Sequence, residues 1–76
     1  MAVVRVRYFA SLRERKGRDE EQVELVPGET LGALYVRLFP PGDLPVAYAR
    51  NAATASRDEV PADGDEVVFL PPIGGG

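Results

Sequence analysis

The chain has no cysteine, no histidine and no tryptophan, and a single lysine and a single methionine among its 76 residues. Without cysteine there is no disulfide, thiolate nucleophile or thiolate metal ligand. Without histidine, ordinary zinc sites and Ser-His or Cys-His catalysis are excluded as well. A domain of this length sits near the limit at which a hydrophobic core suffices by itself, so the fold must rest on packing. No apolar run approaches the roughly 20 residues that cross a membrane, and no membrane partner is expected. The N-terminus has no apolar stretch followed by a small-residue cleavage site, which makes the cytoplasm the expected location. The net charge is -3, yet up to Arg18 the basic residues Arg5, Arg7, Arg13, Arg15, Lys16 and Arg18 face only Glu14. No aromatic platform is interleaved with them and the whole chain is acidic, so they read as a solvated face and not as a nucleic-acid site.

What is present is patterned. Residues 3–9 alternate Val4, Val6 and Tyr8 against Arg5 and Arg7, the period of a half-buried strand, with Phe9 falling on the charged side. Ser11 and Glu14 have the spacing of a capping box and Gly17 that of a C-cap, which predicts a helical turn over 12–16. Residues 20–26 alternate again, with Val23 and Leu25 on one side, and end at the turn residues Pro27 and Gly28. Thr30 is a good N-cap for the main helix, in which Leu31, Leu34, Tyr35 and Leu38 form one apolar stripe; Pro40 and Pro41 end it. A short strand is expected over 46–50, a turn at Asn51, and at most a scrap of strand over 53–55. After a turn from Pro61 to Asp65 the last strand runs from Glu66 to Leu70. Asp63, Asp65 and Glu66 have the spacing of turn residues, and no metal is assigned to them. The last strand does not alternate. Val67, Val68, Phe69 and Leu70 are apolar towards both faces, as in a central strand or one whose second face meets a partner.

A strand hairpin, a crossing helix and further strands, with one amphipathic helix over one face of a mixed sheet, make an α+β roll of the β-grasp type. The sequence divides into a domain over 1–70 and a flexible tail over 71–76. In that tail Pro71 and Pro72 favour an extended stem, Ile73 follows, and Gly74, Gly75 and Gly76 end the sequence. Six residues reach at most roughly 20 Å. Lacking a Cβ, glycine enters a channel too narrow for other residues, and the carboxylate of Gly76 would arrive first.

Three stretches carry a family resemblance across the whole length: Phe9, Ala10, Arg13 and Glu14 in an F-A-x-x-R-E pattern, the turn D-G-D-E-V from Asp63 to Val67, and the ending F-L-P-P-I-x-G-G. On these the chain resembles the MoaD family, the small ubiquitin-like sulfur-carrier subunit of molybdopterin synthase. The segment from Phe39 to Arg57 matches poorly, and a third glycine precedes the final pair. The resemblance implies that Gly76 is adenylated with ATP on an E1-like enzyme and converted to a thiocarboxylate with sulfur from a sulfurtransferase. Its sulfur then passes to cyclic pyranopterin monophosphate in the large synthase subunit. It implies that the carrier binds no cofactor, ATP being consumed by the activating enzyme. It also implies that Phe9, Arg13, Leu70, Pro71, Pro72 and Ile73 face partners. On periodicity alone Phe9 and Leu70 could be core, and Arg13 a solvated helix-end residue. A ubiquitin-like protein modifier, a carrier for tRNA thiolation, thiamine or cysteine synthesis, and a non-catalytic interaction domain are the alternatives. The sole lysine, Lys16, argues against self-made chains.

Overall fold

The computed structural model of the protein describes residues 1–40 and 47–71. The elements are β1 (Val3–Tyr8), α1 (Ala10–Lys16), β2 (Glu20–Glu24), α2 (Leu31–Leu38), β3 (Ala47–Arg50), β4 (Ala53–Ala55) and β5 (Glu66–Leu70). They form a five-stranded sheet in the order β2-β1-β5-β3-β4. β1 pairs antiparallel with β2 and parallel with β5, whose other edge pairs antiparallel with β3. Strand β5 is therefore interior, which accounts for a sequence apolar on both sides.

The alternation in β1 and β5 decides the layers. Val4, Val6, Tyr8, Val67 and Phe69 are buried on the face that α2 covers, while Arg5, Arg7 and Leu70 point to the other. From α2, Leu31, Leu34 and Tyr35 enter the same core and Leu38 is half-buried beside it. The aromatic rings meet at its centre. Tyr35 stacks on Phe39, and the edges of Tyr8, Tyr35 and Tyr48 pack against Phe39 or Phe69 with centroids 5.4–5.8 Å apart. Such pairs add about 0.5–1.5 kcal/mol each beyond their buried area, which matters in a domain without staples.

The cap of α2 is as expected, because the Thr30 hydroxyl accepts the Ala33 N–H at 3.1 Å. Pro40 follows Phe39, whose backbone has already left the helical region, as the residue before a proline prefers. Helix α1 differs from the sequence expectation. It begins at Ala10, so Ser11 lies inside the first turn and no side chain caps it. The extended carbonyl of Phe9 takes the N–H groups of Leu12 and Arg13 instead, leaving no role for a Ser11–Glu14 capping box. Gly17 does close the helix, in the left-handed conformation that suits glycine, and donates its N–H to the Arg13 carbonyl at 2.8 Å. Strand β1 stops at Tyr8 and β2 at Glu24, short of the expected 9 and 26, although Leu25 remains buried and bonds to the Ala2 carbonyl. The scrap over 53–55 is a true edge strand. Pro41 and Val46, assigned from sequence to the helix stop and the third strand, lie outside the described residues.

One buried carboxylate holds the entry to α2. Glu29 accepts two bonds from the Arg37 guanidinium, at 2.8 and 2.9 Å, and the Val26 N–H at 2.9 Å, tying the Pro27–Gly28 turn to the helix. The bond from Arg37 holds its carboxyl below the usual range against the opposing effect of burial.

The β3–β4 connection turns on Asn51 and Ala52, both with positive φ, at 52° and 67°. Asparagine tolerates that region, but alanine brings its Cβ against the following carbonyl. Ala52→Gly should therefore raise stability by about 0.5 kcal/mol, the relief of strain exceeding the added entropy of the unfolded chain. Urea midpoints of the two proteins check this, and a lower midpoint for the glycine variant would refute it.

Candidate functional site

Because β1 and β5 run parallel, both end at the same edge of the sheet. Tyr8 pairs with Phe69 there; the next residues along the two strands are Phe9 and Leu70. On the face away from α2, Leu70 lies opposite Ala47, and Val68 opposite both Ala49 and Arg7. This produces an apolar area of Phe9, Val68, Leu70, Ala47 and Ala49 that no element of the described chain covers. Phe9 is 40% exposed and Leu70 38% exposed, so neither belongs to the buried core. Pro71 leaves directly from this area. Pro72, Ile73, Gly74, Gly75 and Gly76, assigned from sequence to the tail, lie outside the described residues.

Helix α1 borders the same edge. Its Leu12 is fully buried, and the Arg15 guanidinium and Lys16 ammonium each lie 5.3 Å from the Phe39 ring centroid, holding the helix on the core. Lys16 also lies 3.9 Å from Glu21, which accepts the Tyr8 hydroxyl at 2.5 Å and Arg18 at 3.2 Å. Burial, reinforced by that carboxylate, pushes the Tyr8 phenol well above its ordinary pKa, so it remains neutral and has no acid–base role. Arg13 is presented on the outer side of α1, half-exposed, with Asp19 3.7 Å away. Arg13 thus stands one helical turn from Phe9, its backbone N–H bonded to the Phe9 carbonyl and its side chain in a solvated ion pair.

The carboxylates of the D-G-D-E turn lie at the opposite end. Asp63 accepts the Val3 N–H at 2.8 Å; Asp65 accepts Ala62 N–H, the Arg50 guanidinium and the Asn51 amide at 2.7–3.0 Å. Glu66 pairs with Arg5 at 2.5 Å. These groups pin the D-G-D-E turn to β1 and to the β3–β4 hairpin, and among the described residues no group of acidic side chains is arranged to hold a metal. A shallow apolar groove of about 300 Å³, lined by Met1, Leu25, Val26, Val60 and Pro61, also lies at that end.

A five-stranded mixed sheet clasping one main helix, with the C-terminal segment leaving from an interior strand, defines a ubiquitin-like β-grasp domain. The ThiS family matches over residues 6–76, and the chain belongs to it, among the ThiS/MoaD-like ubiquitin-like sulfur carriers. Solved structures agree. A Pyrococcus furiosus protein assigned as molybdopterin converting factor, subunit 1, is 30% identical, with a TM-score of 0.81 over 96% of this chain and 100% of that one. Small archaeal modifier protein 1 of Haloferax volcanii is 25% identical, with a TM-score of 0.79 over 96% and 100%. The ubiquitin of Caldiarchaeum subterraneum, 19% identical with a TM-score of 0.65 over 99% and 98%, shares the fold. Among the described residues no helix is long and apolar enough to cross a membrane.

Two expectations follow from these placements. Leu70→Glu should cost under about 1 kcal/mol, since its side chain contributes to an open face, whereas Leu34→Ala should cost about 2–5 kcal/mol by opening a cavity. Equal losses in denaturant titrations would mean that Leu70 is core. The second concerns acid. Hydrogen bonds from the Ala62 N–H, Asn51 and Arg50 hold the Asp65 carboxyl below its ordinary pKa. The stabilisation is complete above the unfolded value, about 4, and is lost as pH falls through the lower folded value. Asp65→Asn should therefore melt below wild type at neutral pH, with the gap narrowing below about pH 4. A gap that is constant or widens in acid would contradict this linkage.

Proposed function

We propose that this protein is the sulfur carrier of molybdenum-cofactor synthesis, acting through the carboxylate of Gly76. The observation that carries the reading is the exposed apolar sheet face formed by Phe9, Val68 and Leu70, from which Pro71 leads into the tail. Family membership and the 30% identical molybdopterin converting factor support it. A surface of this kind docks the domain while the tail enters a partner's channel. The domain itself needs no catalytic side chain or bound cofactor.

The chemistry follows from the terminal group. A carboxylate is a poor electrophile, so on an E1-like enzyme its oxygen attacks the α-phosphorus of ATP, pyrophosphate leaves, and an acyl adenylate forms. A persulfide sulfur on the sulfurtransferase then attacks the acyl carbon and AMP departs; a thiol of the donor enzyme cleaves the resulting S–S bond, becoming oxidised to a disulfide and leaving a thiocarboxylate on Gly76. In a cysteine-free chain this is where sulfur can be carried. The partners in this reading are the activating enzyme, the sulfurtransferase and a large synthase subunit that binds the cyclic pyranopterin monophosphate, all in the cytoplasm. Phe9, Arg13 and Leu70 would face them, with Pro71, Pro72 and Ile73 as the stem and Gly74 and Gly75 as the narrow lead.

The similarity to small archaeal modifier protein 1 favours a second reading, in which the same activated carbonyl acylates an amine of another protein. Intact mass after incubation with ATP, E1-like enzyme and sulfur donor separates the two: replacement of one oxygen by sulfur supports the carrier, while amide-linked products without it support the modifier. Position at the terminus should matter. Removing Gly76 withdraws the reactive carbon by about 3.3–3.6 Å, and thiocarboxylate formation should fall by orders of magnitude because reacting atoms must approach to about 3–3.5 Å. An alanine added after Gly76 should be worse, and neither change should move the melting temperature. A carrier extended by alanine that gains sulfur at the wild-type rate would overturn the terminal mechanism.

A further inference from the structure

Arg7 occupies the boundary between the two halves of the face that α2 leaves open. In register it sits between Glu20 of β2 and Val68 of β5. On one side is the apolar area of Val68, Leu70 and Phe9; on the other are Arg5, Glu20, Gln22 and Glu66. The two neighbouring arginines are held differently. Arg5 makes a hydrogen bond of 2.5 Å to Glu66. Arg7 lies 3.8 Å from both Glu20 and Glu66, beyond hydrogen-bonding distance, and among the described residues it makes no side-chain hydrogen bond. Its guanidinium is instead 5.5 Å from the centroid of the exposed Phe9 ring. Its side chain remains 44% exposed.

This is a cation placed over an aromatic ring, its N–H donors held only by two loose ion pairs. A guanidinium so placed offers a planar fork that matches a carboxylate, and its contact with the Phe9 ring reduces the rotamer freedom lost on binding. The loose ion pairs to Glu20 and Glu66 lower the cost of leaving Arg7 unoccupied in the free protein, and they can be exchanged without stranding a buried charge.

We infer that Arg7 recognises a carboxylate on the E1-like adenylating enzyme when that enzyme covers the Phe9–Leu70 area, so that the enzyme's surface there is apolar at its centre with an acidic side chain at its rim. The inference rests on that area being the docking face proposed above. Arg7 acts as a specificity residue in docking and takes no part in the chemistry at Gly76.

The test uses the full-length carrier with the E1-like adenylating enzyme of the same organism as probe, following ATP–pyrophosphate exchange against carrier concentration at several salt concentrations. Arg7→Ala should raise the KM for the carrier by about tenfold, the worth of a charge-assisted hydrogen bond, with kcat and melting temperature unchanged. Arg7→Lys should fall between, since it keeps the charge and loses the fork, and Arg7→Glu should be the worst. The KM of the alanine variant should respond less steeply to salt than that of wild type. If wild type is adenylated and Arg7→Ala keeps its KM and its salt response, the Arg7 inference fails while the carrier reading stands. If wild type supports no exchange, the carrier reading fails and this inference falls with it. A KM increase accompanied by an equal loss in melting temperature would assign Arg7 to folding and overturn its role in recognition.

Discussion

The parallel pairing of β1 with β5 is the constraint on which the rest of the structure depends. It places the C-terminal strand inside the sheet, bonded to β1 on one edge and β3 on the other, so the chain leaves from a rigid platform and not from a fraying edge. It also brings the end of β1, where Phe9 turns into α1, beside the end of β5, where Leu70 leads into Pro71. The function proposed above calls for a firmly held root to the C-terminal segment, and an interior strand supplies one.

The two faces of the sheet divide the work. Val67 and Phe69 face α2 and close an aromatic core in which Tyr8, Tyr35, Phe39 and Tyr48 converge. Val68 and Leu70, the alternate residues of the same strand, remain on the open side. A single helix of eight residues cannot cover both faces. The opposite end is fastened by polar groups: Asp63, Asp65, Asn51 and Glu59 bind the turns through backbone N–H groups and Arg50. Polar groups thus fasten the end of the domain opposite to the one from which Pro71 leaves, and the docking proposed here lies at the Pro71 end.

On the proposed function, a protein without cysteine or histidine serves group transfer. The reactive group proposed here belongs to the main chain, and activation comes from the enzyme that adenylates it. The folded part contributes position. A ubiquitin-like modifier would use the same economy, so the fold accommodates both chemistries; the nucleophile that meets the activated carbonyl decides between them.

Much of this was legible in the sequence because it depends on local periodicity. The alternation of Val4, Val6 and Tyr8 against the arginines, the stripe from Leu31 to Leu38, the Thr30 cap and the Gly17 stop are set by residues near one another in the chain. The glycine-rich ending and the F-A-x-x-R-E and D-G-D-E-V patterns pointed to the family in the same way. The start of α1 was misread even locally, since a Phe9 carbonyl can satisfy the N–H groups that a Ser11 capping box would serve, and side-chain spacing does not register backbone acceptors. Periodicity says which face a residue takes but not which strand lies beside it. Only the tertiary structure set Arg7 over Phe9 and opposite Val68, buried Glu29 against Arg37, and committed the acidic turn to Arg50 and Asn51. The pairing of Arg7 with Val68 and of Asp65 with Arg50 and Asn51 joins residues distant in sequence and is fixed by strand order and register, while the Arg7–Phe9 and Glu29–Arg37 contacts depend on side-chain orientations that spacing alone does not specify.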